Sequence, residues 1–476
     1  MKKIFHFCIL FFLSLLFSCK TFGQSEYQKI EGSWQGFVVN EKDTFVLVFD
    51  IDSDSKTPLL MTFPDLAMKD VRPQGLRFAN DTLRLLVSSL AARIQIAYND
   101  KNEFDGYWIA TNSKDTLPLR MQKTNHPLRI HRPQTPKEPF PYSSEIIAVW
   151  SKKAKVSIEG TLTLPAGEGP FPCVILVTGS GPQDRNSDIL MHPSFWVIAD
   201  YLSRHGIAVF RYDERGVGKS TGNFSTSTSH DFADDLLAVF KHLQKNKNLN
   251  KNQIGVAGHS EGGLVCAMAI AKNKKIGFYI SLAGPAVRGS EILLEQAKQL
   301  FIVSGKDKEY VDFEYAFRKK IFEMFHSISD SHKFAEAMRD YFEKTMTEIG
   351  EEKAKEHNIS RPFAEMWIIQ LSSPWMKEFM SIDPASYLYK IKCPVLVMIG
   401  EKDFQVPHYQ NLPIYEKIFS ESKHSNYTIL KIPQLNHLFQ TANTGSISEY
   451  GRIEETFSPI ALETMKDWIL KTTKTN

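Results

Sequence analysis

The chain is poor in cysteine: Cys8, Cys19, Cys173, Cys266 and Cys393 are the only five in 476 residues. That scarcity excludes the disulfide framework of small secreted domains, which a chain of this length does not need in order to build a core. Paired CxxC motifs, HExxH and His/Cys clusters at zinc spacing are also missing, so neither a metal site nor a cofactor is expected. A surplus of one charge is lacking as well. The formal net charge is +3, and Lys2, Lys3 and Lys20 at the N-terminus account for all of it. A near-neutral remainder gives no support to nucleic-acid binding. The apolar run Ile4–Phe17 falls short of the roughly 20 residues that a membrane span requires.

What is present is the composition of a core-forming protein, with 42% hydrophobic and 23% charged residues. Residues 1–23 combine a basic tip with that short apolar run, the layout of a secretory signal. Export is expected, to the periplasm, the exterior or the cell envelope. Two processing routes stay open. Leu16-Phe17-Ser18-Cys19 reads as a lipoprotein box that would lipidate Cys19 and attach the protein to a membrane; Thr21-Phe22-Gly23 reads as a simple cleavage site. Cys173, Cys266 and Cys393 lie in or beside apolar segments, where a free thiol behaves as a small hydrophobe.

Residues 26–124 alternate in short strands separated by Asn, Asp, Gly and Pro, which predicts a small antiparallel barrel or sandwich. Its opening, IEGSWQG, resembles the start of lipocalin-like barrels, with Trp34 as an aromatic plug. Residues 125–142 hold Pro127, Pro133, Pro136, Pro139 and Pro141, the density of an extended connector. From residue 143 to 472 short apolar strands alternate with amphipathic helices, predicting an α/β domain with a mostly parallel sheet covered on both faces. The alternation breaks at about 288–383. Phe313, Phe317, Ile321 and Phe325 recur there at helical spacing, so this reads as a helical lid inserted between two core strands. Residues of such a stripe are more often core than ligand wall.

The stretch GHSEGG, residues 258–263, falls between the apolar run QIGVA and the helical LVCAMAIA. A serine placed there must occupy a sharp turn, with glycines two residues either side relieving the crowding. The following helix aims its N-terminal amides toward Ser260, where negative charge would develop. A serine hydroxyl needs a base, and the base an orienting acid. Two strand ends downstream supply them in that order: Asp403 in GEKDFQVP and His437 in PQLNH. Glu401 and Asp383 are the competing acids; Glu401 lies nearer its strand, and Asp383 looks like helix capping where the lid returns. His259 is expected to point into the packed turn instead of acting as base. GVGKST does not make a phosphate loop, because Asp213 stands where that motif requires glycine.

GHSEGG, GEKDFQVP and NHLF resemble the α/β-hydrolase superfamily. VTGSGPQDRN, residues 177–186, and FRYDERGVGKSTG, residues 210–222, narrow the resemblance to a bacterial exported esterase group near the serine-aminopeptidase-like (S33-type) hydrolases, over about residues 143–472. That resemblance implies an α/β-hydrolase fold and an oxyanion hole formed by the amides of Ser180 and Glu261. Thr178 stands where a histidine often precedes the glycine, which leaves the first donor open among Gly179, Ser180 and Gly181. Asp184, Arg185, Arg211, Asp213 and Arg215 are expected to form a charge network that shapes the oxyanion loop. Trp367, Trp375, Met376 and Phe379 are candidate walls of an acyl pocket. The expected activity is hydrolysis of a small-molecule carboxylic ester through Ser260, His437 and Asp403. Aminopeptidase or amidase action by the same residues, and a surface binding protein with a degenerate hydrolase domain, are the alternatives.

Overall fold

The computed structural model describes residues 26–39, 44–99, 101–112 and 115–474. The signal-like segment and Cys19 lie outside the described residues. The chain divides into two units, the first ending at Arg132 and the second running from Pro133.

In the first unit, alternation of apolar and polar residues produces a single nine-stranded antiparallel sheet. Its first strand, Gly32–Val39, pairs with both its successor, Thr44–Ile51, and the last strand, Thr116–Lys123. The sheet is thus an up-and-down arrangement joined through its first and last strands. Its two ends are Met68–Val71 and Gln74–Ala79, consecutive in the chain. The inward residues, among them Trp34, Phe49, Phe63, Phe104 and Met121, make one core. Trp34 is fully buried, meets Phe104 edge-on at 4.6 Å and donates its indole N–H to the Ile30 carbonyl at 2.7 Å. Its polar atom is satisfied inside the core, as a buried indole requires.

The proline-rich stretch does not stand free. Leu128 donates its amide to Gln35 Oε1 at 2.8 Å, and Arg129 donates to Asp50 Oδ1 at 2.6 Å, so this part belongs to the first unit. Gln134 Oε1 accepts the amides of Thr456 and Phe457 at 2.6 and 3.0 Å and belongs to the second.

The second unit is built on eight strands. Counted within this sheet they lie in the order 1-2-4-3-5-6-7-8: Ser143–Ser151, Val156–Leu164, Ala208–Tyr212, Phe171–Val177, Leu249–His259, Tyr279–Leu282, Val395–Gly400 and Tyr427–Ile432. The first two form a hairpin whose second strand is antiparallel to Ala208–Tyr212; all later pairings are parallel. Parallel strands need crossovers, and helices on both faces supply them. Ser229–Leu243, Glu261–Lys272 and His408–Glu421 bury one face, and Ser194–Arg204 and Pro459–Lys474 bury the other. Cys173 and Cys266 are buried free thiols in the first of these layers, and Cys393 packs partly buried against it.

Between Tyr279–Leu282 and Val395–Gly400 the chain makes seven helices, from Gly289 to Leu388. Phe313, Phe317, Ile321 and Phe325 share the helix Lys308–Ser327 and face a separate lid core with Phe334, Met338 and Phe342. That stripe is packing. Among the described residues no helix is long and apolar enough to cross a membrane.

Candidate active site

The strand Leu249–His259 runs straight into the helix Glu261–Lys272, leaving Ser260 alone to make the turn. Its backbone sits at φ 54°, ψ −125°, a left-handed conformation that a side chain adopts only under constraint. The flanking glycines are required sterically. A Cβ on Gly258 would fall 2.1 Å from the Gly262 carbonyl oxygen, and one on Gly262 would fall 2.3 Å from that of Val177. The Ser260 amide is fixed by the Leu282 carbonyl at 2.8 Å. The first amides of the helix that begins at Glu261 have no carbonyl partner within it, which makes that end electropositive.

Asp403 and His437 follow the last two strands of the sheet, Val395–Gly400 and Tyr427–Ile432. Asp403 Oδ2 lies 2.8 Å from His437 Nδ1, and both residues are buried. The other carboxylate oxygen accepts the amides of Gln405 and Val406 at 2.9 and 2.8 Å, so the acid is held by its own loop. With the acid on Nδ1, a neutral imidazole would carry its proton there and leave Nε2 as an acceptor. Glu401 faces elsewhere: it pairs with Lys431 at 3.0 Å and accepts the Gln434 amide at 3.2 Å, and Lys431 holds its carboxyl below the usual range. Asp383 accepts the Ala385 amide at 3.1 Å and lies 3.8 Å from Arg288. Neither competing acid touches His437. His259 is buried beside His437, their rings 4.8 Å apart, and its Nε2 bonds the His437 carbonyl at 2.8 Å. Burial, with His437 nearby, pushes its pKa down to about 3, so it stays neutral and ties the histidine loop to the nucleophile turn.

Ser260 and His437 share a cavity of about 340 Å³ with Gly179, Ser180, Trp375 and Phe379. Gly179 lies against the turn, since a Cβ there would be 3.0 Å from that of Ser260. The loop that follows it is anchored from below. Glu214 accepts the Thr178 hydroxyl at 2.7 Å and the Gln183 amide at 2.9 Å, one at each end of the segment carrying Ser180. Burial pushes its pKa up to about 8. Asp213 takes the Arg185 guanidinium at 2.6 and 2.9 Å and the Arg185 amide at 2.8 Å, and Glu159 adds a further acceptor at 2.8 Å.

Of the five charged residues expected to form one network around this loop, four act on it and Arg215 does not. Arg185 and Asp213 fix the loop. Arg215 instead binds Asp235 and Asp231 on the helix Ser229–Leu243, Arg211 bonds Asn186, and Asp184 closes a local turn with the Asn186 amide. Glu214 and Glu159 were not singled out from the sequence. The one signal on offer was a glutamate two residues past the buried strand Ala208–Tyr212.

Trp375, Met376 and Phe379 line the cavity, the two aromatic rings stacked at 5.1 Å. Trp367 does not. It sits in a second cavity inside the lid with Arg318 over its ring at 5.1 Å, because its helix turns that face toward the lid's own core. The side chain of Glu261 has a role that the sequence reading, concerned with its amide, passed over. It is buried and accepts from the Ser180 hydroxyl at 2.9 Å, the Ser229 hydroxyl at 2.6 Å and the Trp375 indole N–H at 2.9 Å. One carboxyl group thereby joins the turn at Ser260, the loop carrying Ser180 and the lid. Among the described residues no group of His, Cys, Asp and Glu is arranged to hold a metal.

Two family models match parts of the second unit: the serine aminopeptidase, S33, family over residues 194–320 and the prolyl oligopeptidase family over residues 345–458. The chain is 26% identical over 281 residues to the esterase EstD of Thermotoga maritima, an alignment covering 59% of this chain and 58% of that protein's length. An uncharacterised 31.7 kDa Escherichia coli protein from the traX-finO intergenic region is 22% identical, over 57% of this chain and 86% of its own. Among solved structures, an esterase of Pyrococcus furiosus is similar at a TM-score of 0.42 and 16% identity, covering 73% of this chain and 97% of its own.

Proposed function

We propose that this chain, a member of the α/β-hydrolase superfamily, is a serine hydrolase that cleaves carboxylic esters through Ser260, His437 and Asp403. The observation carrying the proposal is the buried Asp403–His437 pair, 2.8 Å apart, opening on the cavity that also holds the strained Ser260. His437 Nε2 takes the hydroxyl proton as Ser260 Oγ bonds to the ester carbonyl carbon. The amides of Glu261 and Ser180 receive the oxyanion. The bond to the alcohol oxygen then breaks, His437 returns the proton to that oxygen, and water repeats the sequence on the acyl-enzyme. Asp403 orients the ring and stabilises its charged form throughout.

An ester is favoured over a peptide bond on three grounds. An alkoxide leaves more readily than an amine, and the Thermotoga maritima relative named above is an esterase. An aminopeptidase would also need a carboxylate for the substrate ammonium; the one carboxyl in the cavity wall, Glu261, has both oxygens engaged. Export through residues 1–23, with either simple cleavage or lipidation of Cys19, completes the proposal.

The test is Ser260→Ala. Fluorophosphonate labelling is expected to vanish, and hydrolysis of 4-nitrophenyl acetate to fall by at least about 10³-fold, with the fold intact by circular dichroism. Turnover retained in that variant would remove Ser260 from the chemistry. Wild-type protein that neither labels nor cleaves any ester would favour a binding role.

A further inference from the structure

The polar part of the cavity wall has an unusual composition. Gln183 comes from the oxyanion loop, Gln296 from the lid helix Gly289–Val303, Gln370 from the lid helix Arg361–Ser372, and Gln405 from the loop that carries Asp403. Four separate elements each bring a neutral amide. Among the described residues of the wall there is no lysine, arginine or aspartate, and Glu261 is saturated by its three donors.

Two of the amides are already held. Gln405 accepts from Gln296 Nε2 at 3.4 Å and donates to the Tyr450 hydroxyl at 3.2 Å. Gln183 donates to the Ser180 carbonyl at 3.2 Å and accepts the Ser187 hydroxyl at 2.7 Å. Gln296 Oε1 and the whole Gln370 amide have no protein partner among the described residues, and both residues border the space above Ser260.

A primary amide offers one acceptor and one donor group side by side, which matches a hydroxyl in either direction. An alkyl chain covering the half-buried Gln296 amide would strip its water and return nothing, whereas the exposed Gln370 amide stays free to meet a hydroxyl at the cavity mouth. An ion would find no opposite charge. The cavity is also small, near the low end of the ~300–1,000 Å³ typical of ligand sites. The stacked Trp375 and Phe379 supply an apolar wall, and the Trp375 indole N–H, bonded to Glu261, fixes its ring.

Resting on the ester-hydrolase reading, we infer that the substrate is an O-acylated neutral sugar or polyol, with hydroxyls read by Gln296 and Gln370 and with a short acyl group. The bond broken joins the acyl carbon to a hydroxyl oxygen of the sugar; that oxygen leaves with the proton carried by His437, and water supplies the atoms that complete the free acid.

The test compares two acetates of similar ring size in the full-length protein: methyl 2-O-acetyl-xylopyranoside, which carries hydroxyls, and cyclohexyl acetate, which does not. We expect kcat/KM to favour the sugar by at least about tenfold, because a site that hydrogen-bonds a substrate discriminates strongly against the analogue lacking the group. Gln296→Leu and Gln370→Leu, on different helices, should each lower that ratio by a further measurable factor, and the double variant should bring it close to one. Equal turnover of the two acetates, faster turnover of the cyclohexyl ester, or a ratio unmoved in both variants would overturn the inference and leave the ester reading standing. Failure to label or to cleave any ester would remove both together.

Discussion

Glu261 carries a backbone role and a side-chain role that pull on different parts of the site. Its amide opens a helix at the nucleophile, and its carboxyl collects three donors from three elements. Burial raises its pKa. Glu261→Ala would strand the buried Ser229 hydroxyl, at about 1–3 kcal/mol, and would release the half-buried Trp375 N–H and the exposed Ser180 hydroxyl from their shared acceptor. The expected outcome is a lower Tm together with a loss in kcat of about tenfold or more, since Ser180 and the lid wall both lose their anchor. Glu261→Gln keeps one acceptor oxygen and should fall between the two. An Ala variant that loses stability but keeps its kcat would make the residue structural alone. Ser260, Asp403 and His437 were legible in the sequence because a glycine-framed turn and two strand ends have positional meaning even in one dimension. The Glu261 contacts were not, since Ser180, Ser229 and Trp375 are 81, 32 and 114 residues away.

At the scale of the element, the loop carrying Ser180 is clamped by carboxyl groups of opposite behaviour. Salt bridging and amide donors keep Asp213 below the usual carboxylate range, whereas burial holds Glu214 at about 8 against an ordinary 4.5. Between those two values the folded chain keeps a proton on Glu214 that the unfolded chain has given up. Stability therefore falls as pH rises through that window, by about 1.4 kcal/mol for each unit separating the two titrations. Glu214→Gln should remove this share. Tm measured from pH 5 to pH 8 is expected to show the variant gaining on the wild type as pH increases; parallel curves would mean that Glu214 ionises normally.

The sequence reading of this loop located the charged residues but merged Arg215 with Arg185. Arg215 lies past the end of the strand Ala208–Tyr212, where alternation no longer assigns a face, and its partner Asp235 stands on a helix 20 residues further on. The same limit misplaced Trp367: helical spacing defines a face and leaves open whether that face meets the substrate cavity or the lid's own core.

For the whole molecule, the first unit has a core of its own, centred on Trp34, and the second buries two layers against one sheet. Calorimetry of residues 26–476 is expected to resolve two transitions. Trp34→Ala, at about 3–5 kcal/mol for a buried aromatic, should lower one and spare ester hydrolysis; a single transition that moves as a block would refute this. The lid, Gly289 to Leu388, likewise packs its own interior, so a lid exchanged by design would leave Ser260, Asp403 and His437 on their own elements. Trp375 sets the condition on that exchange. An incoming lid that brings no N–H to its position leaves a buried carboxyl short of a donor beside the nucleophile, so lids able to change substrate preference are filtered first by whether they satisfy Glu261.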